Sequence, residues 1–289
     1  MTDHSQFTEV ADRVWIRRHP WLDVTTTAVG GSDGVLVVDT GGSGTVARDH
    51  VDAVGRLGAG EVLAVVNTHW HFDHSFGNAV FHDSWPQAAF WAHEDAVSEL
   101  ARRGAGARAE LSTPGHPDSA GHEAEIAETE VRVPEHSFSA ARVLDLGGRL
   151  VELLHPGRGH TAGDAVLHVP DARVLLAGDL VEESGAPCYG DDSYPLDWPG
   201  TLGVLLDMLG EDTVVVPGHG APVDRGFVEE QRGLLGVVAE TVRGLAAAGV
   251  GVTEALDAGE WPWPREVVRH AVERGYSQLP RDARRLPLA

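Results

Sequence analysis

The chain has 289 residues, 42% of them hydrophobic, and a formal charge of −22 from 44 acidic against 22 basic side chains. That length suffices to bury one large core, while the acidic balance excludes partners that need cationic surfaces, nucleic acid and anionic membranes alike. All 22 basic residues are arginine, which also excludes Schiff-base chemistry and a lysine general base.

In chain order, the N-terminus Met1-Thr2-Asp3-His4-Ser5-Gln6 lacks a basic segment followed by an apolar one. No later run approaches the roughly 20 apolar residues of a membrane span, so the expectation is a cytoplasmic protein. Three strands open the fold, Val10 to Arg17, Thr25 to Gly30 and Val35 to Asp39, separated by Pro20 and the glycine-rich turn 30–34. A helix from about Thr45 to Leu57 leads to an apolar strand, Val62 to Val66; a strand Ala88 to Ala92 and a helix Glu94 to Arg103 follow. The stretch Gly104 to Gly121 is rich in glycine and proline, without periodicity, and reads as a loop or lid.

The second half restarts in strands. Val143 to Leu146 and Leu150 to Leu154 flank Gly147-Gly148 as a hairpin. Val166 to Val169 and Val174 to Leu176 come next, then a helix near Thr201 to Leu209 and a strand Thr213 to Val216. Helical patterns occupy Phe227 to Leu245, Thr253 to Ala258 and Arg265 to Tyr276. Both halves run from strands through a helix to a further strand, which predicts an α/β core of two sheets packed face to face with helices outside. Residues 1–225 read as that core and 226–289 as a helical extension packed on it. Trp261 and Trp263 read as packing anchors or a homodimer contact. The single cysteine, Cys188, cannot form an intramolecular disulfide and has no neighbouring histidine to activate it.

Against this frame, seven residues form a metal-ligand pattern. His69, His71, Asp73 and His74 follow the strand at 62–66; His160 stands in Gly159-His160-Thr161, Asp179 in Ala177-Gly178-Asp179 and His219 in Gly218-His219-Gly220. His69 and His71 are two apart and on an extended backbone project to one side; Asp73 and His74 aim at a second point. Neutral imidazole and carboxylate suit zinc, with manganese or iron as alternatives. The expected assignment puts His69, His71 and His160 on one divalent ion and Asp73, His74 and His219 on another, with Asp179 shared. Two aspartates and one hydroxide leave such a site about one positive charge, attractive to a carbonyl or an anion. His82, His93, His116 and His155 are candidates for the surroundings of the site; the other histidines carry no such context.

This motif set resembles the metallo-β-lactamase fold superfamily: His-x-His-x-Asp-His at 69–74, Gly159-His160-Thr161-Ala162-Gly163-Asp164, Ala177-Gly178-Asp179, Gly218-His219-Gly220, and Val37-Val38-Asp39-Thr40-Gly41-Gly42. The resemblance implies a four-layer αβ/βα sandwich with the site at the edge between the sheets, and makes Asp39 a residue that steadies the histidine loop rather than a ligand. It does not settle chemistry. Zinc β-lactamases commonly carry cysteine or serine where Asp179 stands and hold the drug carboxylate with lysine, and this chain has neither. The expected activity is hydrolysis of an ester, thioester or lactone of a small molecule by a metal-bridging hydroxide, with Asp73 helping to orient the nucleophile or take up a proton. A phosphodiesterase, a β-lactamase-like amide hydrolase and a di-iron redox protein are the alternatives. The insertion 182–199 places Tyr189, Tyr194 and Trp198 as candidates for the substrate pocket, and Trp70 and Phe72 read as core anchors of the histidine loop.

Overall fold

The computed structural model describes residues 6–280. The first sheet is built from β1 (Thr8–Ala11), β2 (Val14–Arg18), β3 (Thr25–Gly30) and β4 (Val35–Val38), all antiparallel neighbours. Helix α1 (Gly44–Leu57) crosses to β5 (Val62–Val66); short α2 (Phe72–Ser75) and α3 (Asn78–Ser84) lead to β6 (Ala89–His93). Then α4 (Glu94–Leu111) and α5 (Glu123–Ala127) precede the edge strand β7 (His136–Phe138). From β4 to β7 the strands pair in parallel. The second sheet contains β8 (Ala141–Asp145), β9 (Leu150–Leu154), β10 (Val166–Val169) and β11 (Val174–Glu182), with α6 (Trp198–Met208) crossing to β12 (Val214–His219). Its order is β12-β11-β10-β9-β8, and only the β11–β12 pair is parallel. Helices α7 (Arg225–Ala247), α8 (Val252–Ala258) and α9 (Arg265–Gln278) close the described chain.

The layering follows from strand periodicity. In β4 all four residues are buried, because the sheet is covered on both sides. Leu36 and Val38 face the second sheet, packing with Val151, Leu153, Leu167 and Leu176. Val35 and Val37 face outward onto Ala47 and Val54 of α1 and Phe81 of α3. The second sheet repeats the scheme: Leu175, Ala177 and Val215 point away from the first sheet onto Trp198 and Leu202 of α6, Leu235 of α7 and Val268 of α9. Each such fully buried Val, Leu or Phe side chain contributes about 1.5–3 kcal/mol, and the result is an α/β/β/α sandwich. Helix α8 and the far side of α9 pack on α7 through Ala239, Val242, Ala255 and Val272. Among the described residues no helix is long and apolar enough to cross a membrane.

Local chemistry sets the boundaries. Ser43 caps α1 by accepting a hydrogen bond from the Val46 N–H, and Gly58 ends the helix in the left-handed region at φ 60°. Three expectations need correction. The strand at 10–17 is two strands, broken where Arg13 turns with φ 50°. The stretch 104–121 is not a loop throughout: α4 continues to Leu111, because Leu100, Gly104 and Leu111 lie on its buried side and Gly104 has Val131 where a side chain would stand. The strand from Val174 does not stop at Leu176 but runs nine residues to Glu182, with register breaks beside Gly178.

Candidate active site

The seven sequence-singled residues meet at one edge of the sandwich, where the end of β5 faces β11 and β12. His69 and His71 are not on an extended strand, as spacing suggested. The strand ends at Val66, the chain bends through 68–70, and His71 is the first flank of α2. What folds this bend is Asp39, buried at the end of β4. It accepts hydrogen bonds from the Thr68 N–H (2.8 Å) and Thr68 Oγ1 (2.8 Å) and pairs with His74 Nδ1 (2.8 Å). Asn67 Nδ2 adds a bond to the His74 carbonyl. Asp179 sits inside β11 rather than at its end, and Asp164 folds the turn carrying His160 by accepting from Thr161 N (2.9 Å) and Oγ1 (2.6 Å).

Two donor sets result. In the first, His69, His71 and His160 place one nitrogen each within 4.8 Å of the others, with His71 Nδ1 and His160 Nε2 2.8 Å apart. In the second, His74 Nε2, His219 Nε2 and Asp73 Oδ2 form a triangle of 3.2, 3.3 and 3.5 Å. Asp179 faces both: Oδ1 lies 3.1 Å from His74 Nε2, and Oδ2 lies 3.3 Å from His219, 3.4 Å from His160 and 3.7 Å from His69. Donors on a tetrahedral zinc ion with bonds of 2.0–2.1 Å stand about 3.3–3.4 Å apart, so these separations fit such an ion. His69 Nε2 and Asp179 Oδ1 are fully buried and lack a hydrogen-bond partner among the described residues, as donors reserved for a cation would be.

Every histidine of the cluster has its other nitrogen tied down. His69 Nδ1 meets Thr68 Oγ1 (3.1 Å), His71 Nε2 meets Asp192 Oδ2 (3.3 Å), and His74 Nδ1 meets Asp39. His160 Nδ1 and His219 Nδ1 meet the carbonyls of Cys188 (3.0 Å) and Leu22 (2.7 Å). Such contacts select tautomer and ring orientation. Asp192 also accepts from Trp70 Nε1 at 2.8 Å. The sequence reading missed Asp192; its only signal was the acidic pair Asp191-Asp192 inside the insertion. The two carbonyls leave no side-chain signature at all.

Charge distribution points the same way. Burial lowers His69 and His160, the latter to about 4, so both stay neutral donors. His74 and His219 shift the other way: burial opposes protonation, but Asp179 and Asp73 raise His74 well above its ordinary value, and Asp179 and Glu182 do so for His219. Burial would raise Asp73, yet His74 and His219 hold it down to about 2; Asp179 is held well below its usual range by the same pair. Protons on two imidazoles thus offset two carboxylates where no cation does so, and a divalent ion would displace those protons.

Gly218 explains one motif glycine. A Cβ there would lie 1.8 Å from Asp179 Oδ1. Gly218→Ala must therefore push the shared carboxylate aside, and turnover should drop about a hundredfold, the cost of a displacement near 1 Å. A steady-state assay at saturating metal checks this; wild-type rates would show that the carboxylate need not stay where it is.

Above the donors opens a cavity of about 410 Å³ whose wall includes Leu22, Trp70, Phe72 and Leu111. Trp70 both packs against Phe76 and Leu100, as expected, and faces this space. His116 is at its edge, whereas His93 and His155 stack on each other (3.9 Å between rings) and His82 stands beside Phe90; none of these three lines the cavity. The aromatic residues of the insertion are not where a pocket role would put them. Trp198 is fully buried under β11, donating to the Leu180 carbonyl, and Tyr189 is buried against it. The Tyr194 ring lies between Arg158 and Arg274. The apolar surface of Tyr189 and Trp198 goes to the layer between β11 and the outer helices, since α6 begins at Trp198 and draws the insertion inward.

A sandwich of two sheets and outer helices, with imidazole and carboxylate donors gathered where the sheets meet, is the architecture of a metal-binding protein. The family model that matches residues 19–219 is that of the metallo-beta-lactamase superfamily, and the chain belongs to it. Relatives include the metallo-beta-lactamase type 2 of Bacillus cereus, 26% identical over 200 residues, 68% of this chain and 67% of the relative. The acyl-coenzyme A thioesterase MBLAC2 of Homo sapiens is 28% identical over 219 residues, 70% of this chain and 73% of the relative. Among solved structures, the metallo-beta-lactamase from Pontibacter korlensis superposes with a TM-score of 0.64 at 22% identity, covering 80% of this chain and 98% of that one; this likeness speaks to the fold.

Proposed function

We propose that the protein is a dinuclear metal-dependent hydrolase that cleaves a carbonyl ester-type bond, an ester, thioester or lactone, of a small molecule. The observation that carries this reading is the Asp179 carboxylate, facing His69 and His160 on one side and His74 and His219 on the other. His69, His71 and His160 would hold one ion, Asp73, His74 and His219 the second, with Asp179 common to both. Two divalent ions there, zinc by the donor set, supply hydroxide near neutral pH and a Lewis acid for a carbonyl oxygen.

The chain's own residues do the rest. Asp73, at the floor of the cavity with its carboxylate held ionised by His74 and His219, accepts a proton or orients the nucleophile. Leu22, Phe72 and Leu111 provide apolar surface for an acyl group and limit water around the reacting carbonyl. The likeness to an acyl-coenzyme A thioesterase supports carbonyl ester chemistry. The β-lactamase relatives support an amide alternative, but the absence of lysine removes one means of holding an anionic lactam.

The test is a turnover screen of zinc-, manganese- and iron-loaded protein across esters, thioesters, lactones, phosphodiesters and β-lactams, each with a chelated control. Carbonyl ester turnover that chelation abolishes is expected. Faster cleavage of phosphodiesters or β-lactams, or ester turnover indifferent to chelation, rejects the reading.

A further inference from the structure

In the second donor set, His74 is oriented by the side chain of Asp39, whereas His219 depends on a backbone carbonyl 197 residues away, that of Leu22. Leu22 belongs to the turn between β2 and β3. It and Asp23 both stand in the left-handed region, at φ 61° and φ 55°. Aspartate visits that region readily, but a leucine there is an outlier that persists only where neighbouring contacts impose it. The Leu22 carbonyl therefore meets His219 only while the turn keeps this shape.

The contacts that impose the shape converge on Asp23. Arg18, the last residue of β2, holds its carboxylate through both oxygens: Nε donates to Oδ1 at 2.9 Å and Nη2 donates to Oδ2. Such fork-to-fork pairing fixes direction as well as distance. With side-chain exposures of 24% and 29% the pair is partly shielded, so its loss matters more than that of a surface ion pair. The Asp23 carbonyl accepts from the Gly220 N–H at 3.1 Å, and Val24 bridges to His219, so the turn is bonded directly to the ligand loop. Across that loop, the Glu183 N–H donates to the His219 carbonyl (3.1 Å) and Glu183 Oε2 accepts from the Ala221 N–H (2.7 Å). Glu183 also attracts Arg18, adding to the hydrogen bond with Asp23 that raises the guanidinium above its ordinary pKa. Trp21 anchors the other flank of the turn, stacking on His122 and donating from Nε1 to the Asp118 carbonyl. Loss of Arg18 thus leaves the hairpin attached while releasing the Leu22 carbonyl.

We propose that Arg18 is a positioning residue for the second ion: by holding Asp23 in the turn it aims the Leu22 carbonyl at His219 Nδ1, and so fixes the imidazole that completes the set with Asp73 and His74. The role rests on the two-ion site of the hydrolase reading above, but not on which bond that site cleaves. The first donor set lies outside its reach, because His69, His71 and His160 are oriented by Thr68, Asp192 and the Cys188 carbonyl.

The test is a zinc titration of the metal-free protein in competition with a chromophoric chelator, which resolves two dissociation constants. In Arg18→Ala one of them should rise about 10–100-fold, the scale of losing a group that orients a metal-bound histidine, while the other stays within about twofold. Asp23→Asn, which tolerates the left-handed backbone, should do the same. The double variant should be no worse than either single one, since all three break one contact. Arg18→Lys supplies the charge without the fork and should recover part of the affinity. Turnover of Arg18→Ala should fall at limiting zinc and return in excess zinc, a rescue that a general loss of packing would not show. Should thermal melts show Arg18→Ala unfolded, Arg18→Lys and Asp23→Asn, the milder changes, decide by the same two constants. Both constants unchanged in a folded variant, or both weakened alike, overturn the role. A wild type that takes up a single zinc ion rejects the two-ion site itself. Unchanged constants alongside ester turnover defeat the role of Arg18 and leave the hydrolase standing, whereas selective loss of one ion in a protein that cleaves no ester does the opposite.

Discussion

Replacing Asp179 with alanine should cut turnover by about a thousandfold, equivalent to about 4 kcal/mol of transition-state stabilisation. The carboxylate approaches the nitrogens of four histidines at 3.1 to 3.7 Å, and among the described residues no other side chain approaches both donor sets so closely. Its loss should also lower the number of bound ions below two, as read by metal analysis after desalting. The thermal signature is separate from activity. An ion at a thousand times its dissociation constant stabilises the folded state by about 4 kcal/mol, and this ion-induced rise in Tm should shrink markedly in Asp179→Ala. A variant that keeps both its ion content and its melting response would show that the carboxylate is not a shared ligand.

Asp39→Ala should destabilise the protein by about 3–5 kcal/mol, because it strips a buried imidazole of its charged partner and leaves Thr68 N and Oγ1 without acceptors. Asp39 also has φ 60°, where alanine adds about 1–2 kcal/mol of strain. Asp39→Asn separates the two effects. Asparagine tolerates the left-handed backbone and keeps one acceptor, but its amide cannot replace both carboxylate oxygens. Expected for Asp39→Asn are a milder loss of Tm and a 10–100-fold drop in ion affinity, the usual scale for a residue that orients a metal-bound histidine. Competition titration with a chromophoric chelator measures the affinity and a thermal melt the stability. Unchanged ion affinity in a folded Asp39→Asn would remove Asp39 from the metal site's support.

The sandwich and its site were legible in the sequence to different depths. Runs such as Val35 to Asp39 and Val62 to Val66 declare strands, and the structure ends each within a residue of the expected bounds. Glycine and proline were poorer guides. Gly104 and Gly106 suggested a loop but lie inside α4, where tertiary packing against Val131 favours the missing side chain at Gly104 over its low helix propensity. Aromatic residues misled as well: Tyr189, Tyr194 and Trp198 stand near Asp179 in sequence, yet Tyr189 and Trp198 pack in the outer helical layer and Tyr194 lies against Arg158 and Arg274.

By itself the sequence determined the ligand chemistry, because imidazole and carboxylate types at fixed spacings are properties of the chain. It also determined the strand-and-helix rhythm, because burial on one or two faces writes its period directly into residue order. Only the tertiary structure decided that Asp179 stands between the two histidine sets, that Asp192 and the Leu22 and Cys188 carbonyls orient three of the imidazoles, and that Glu182 lines the cavity beside Asp179 and His219. Those facts join residues as far apart as 22 and 219. They depend on how two sheets stack, and no local pattern of side chains encodes which distant backbone will arrive within hydrogen-bond reach.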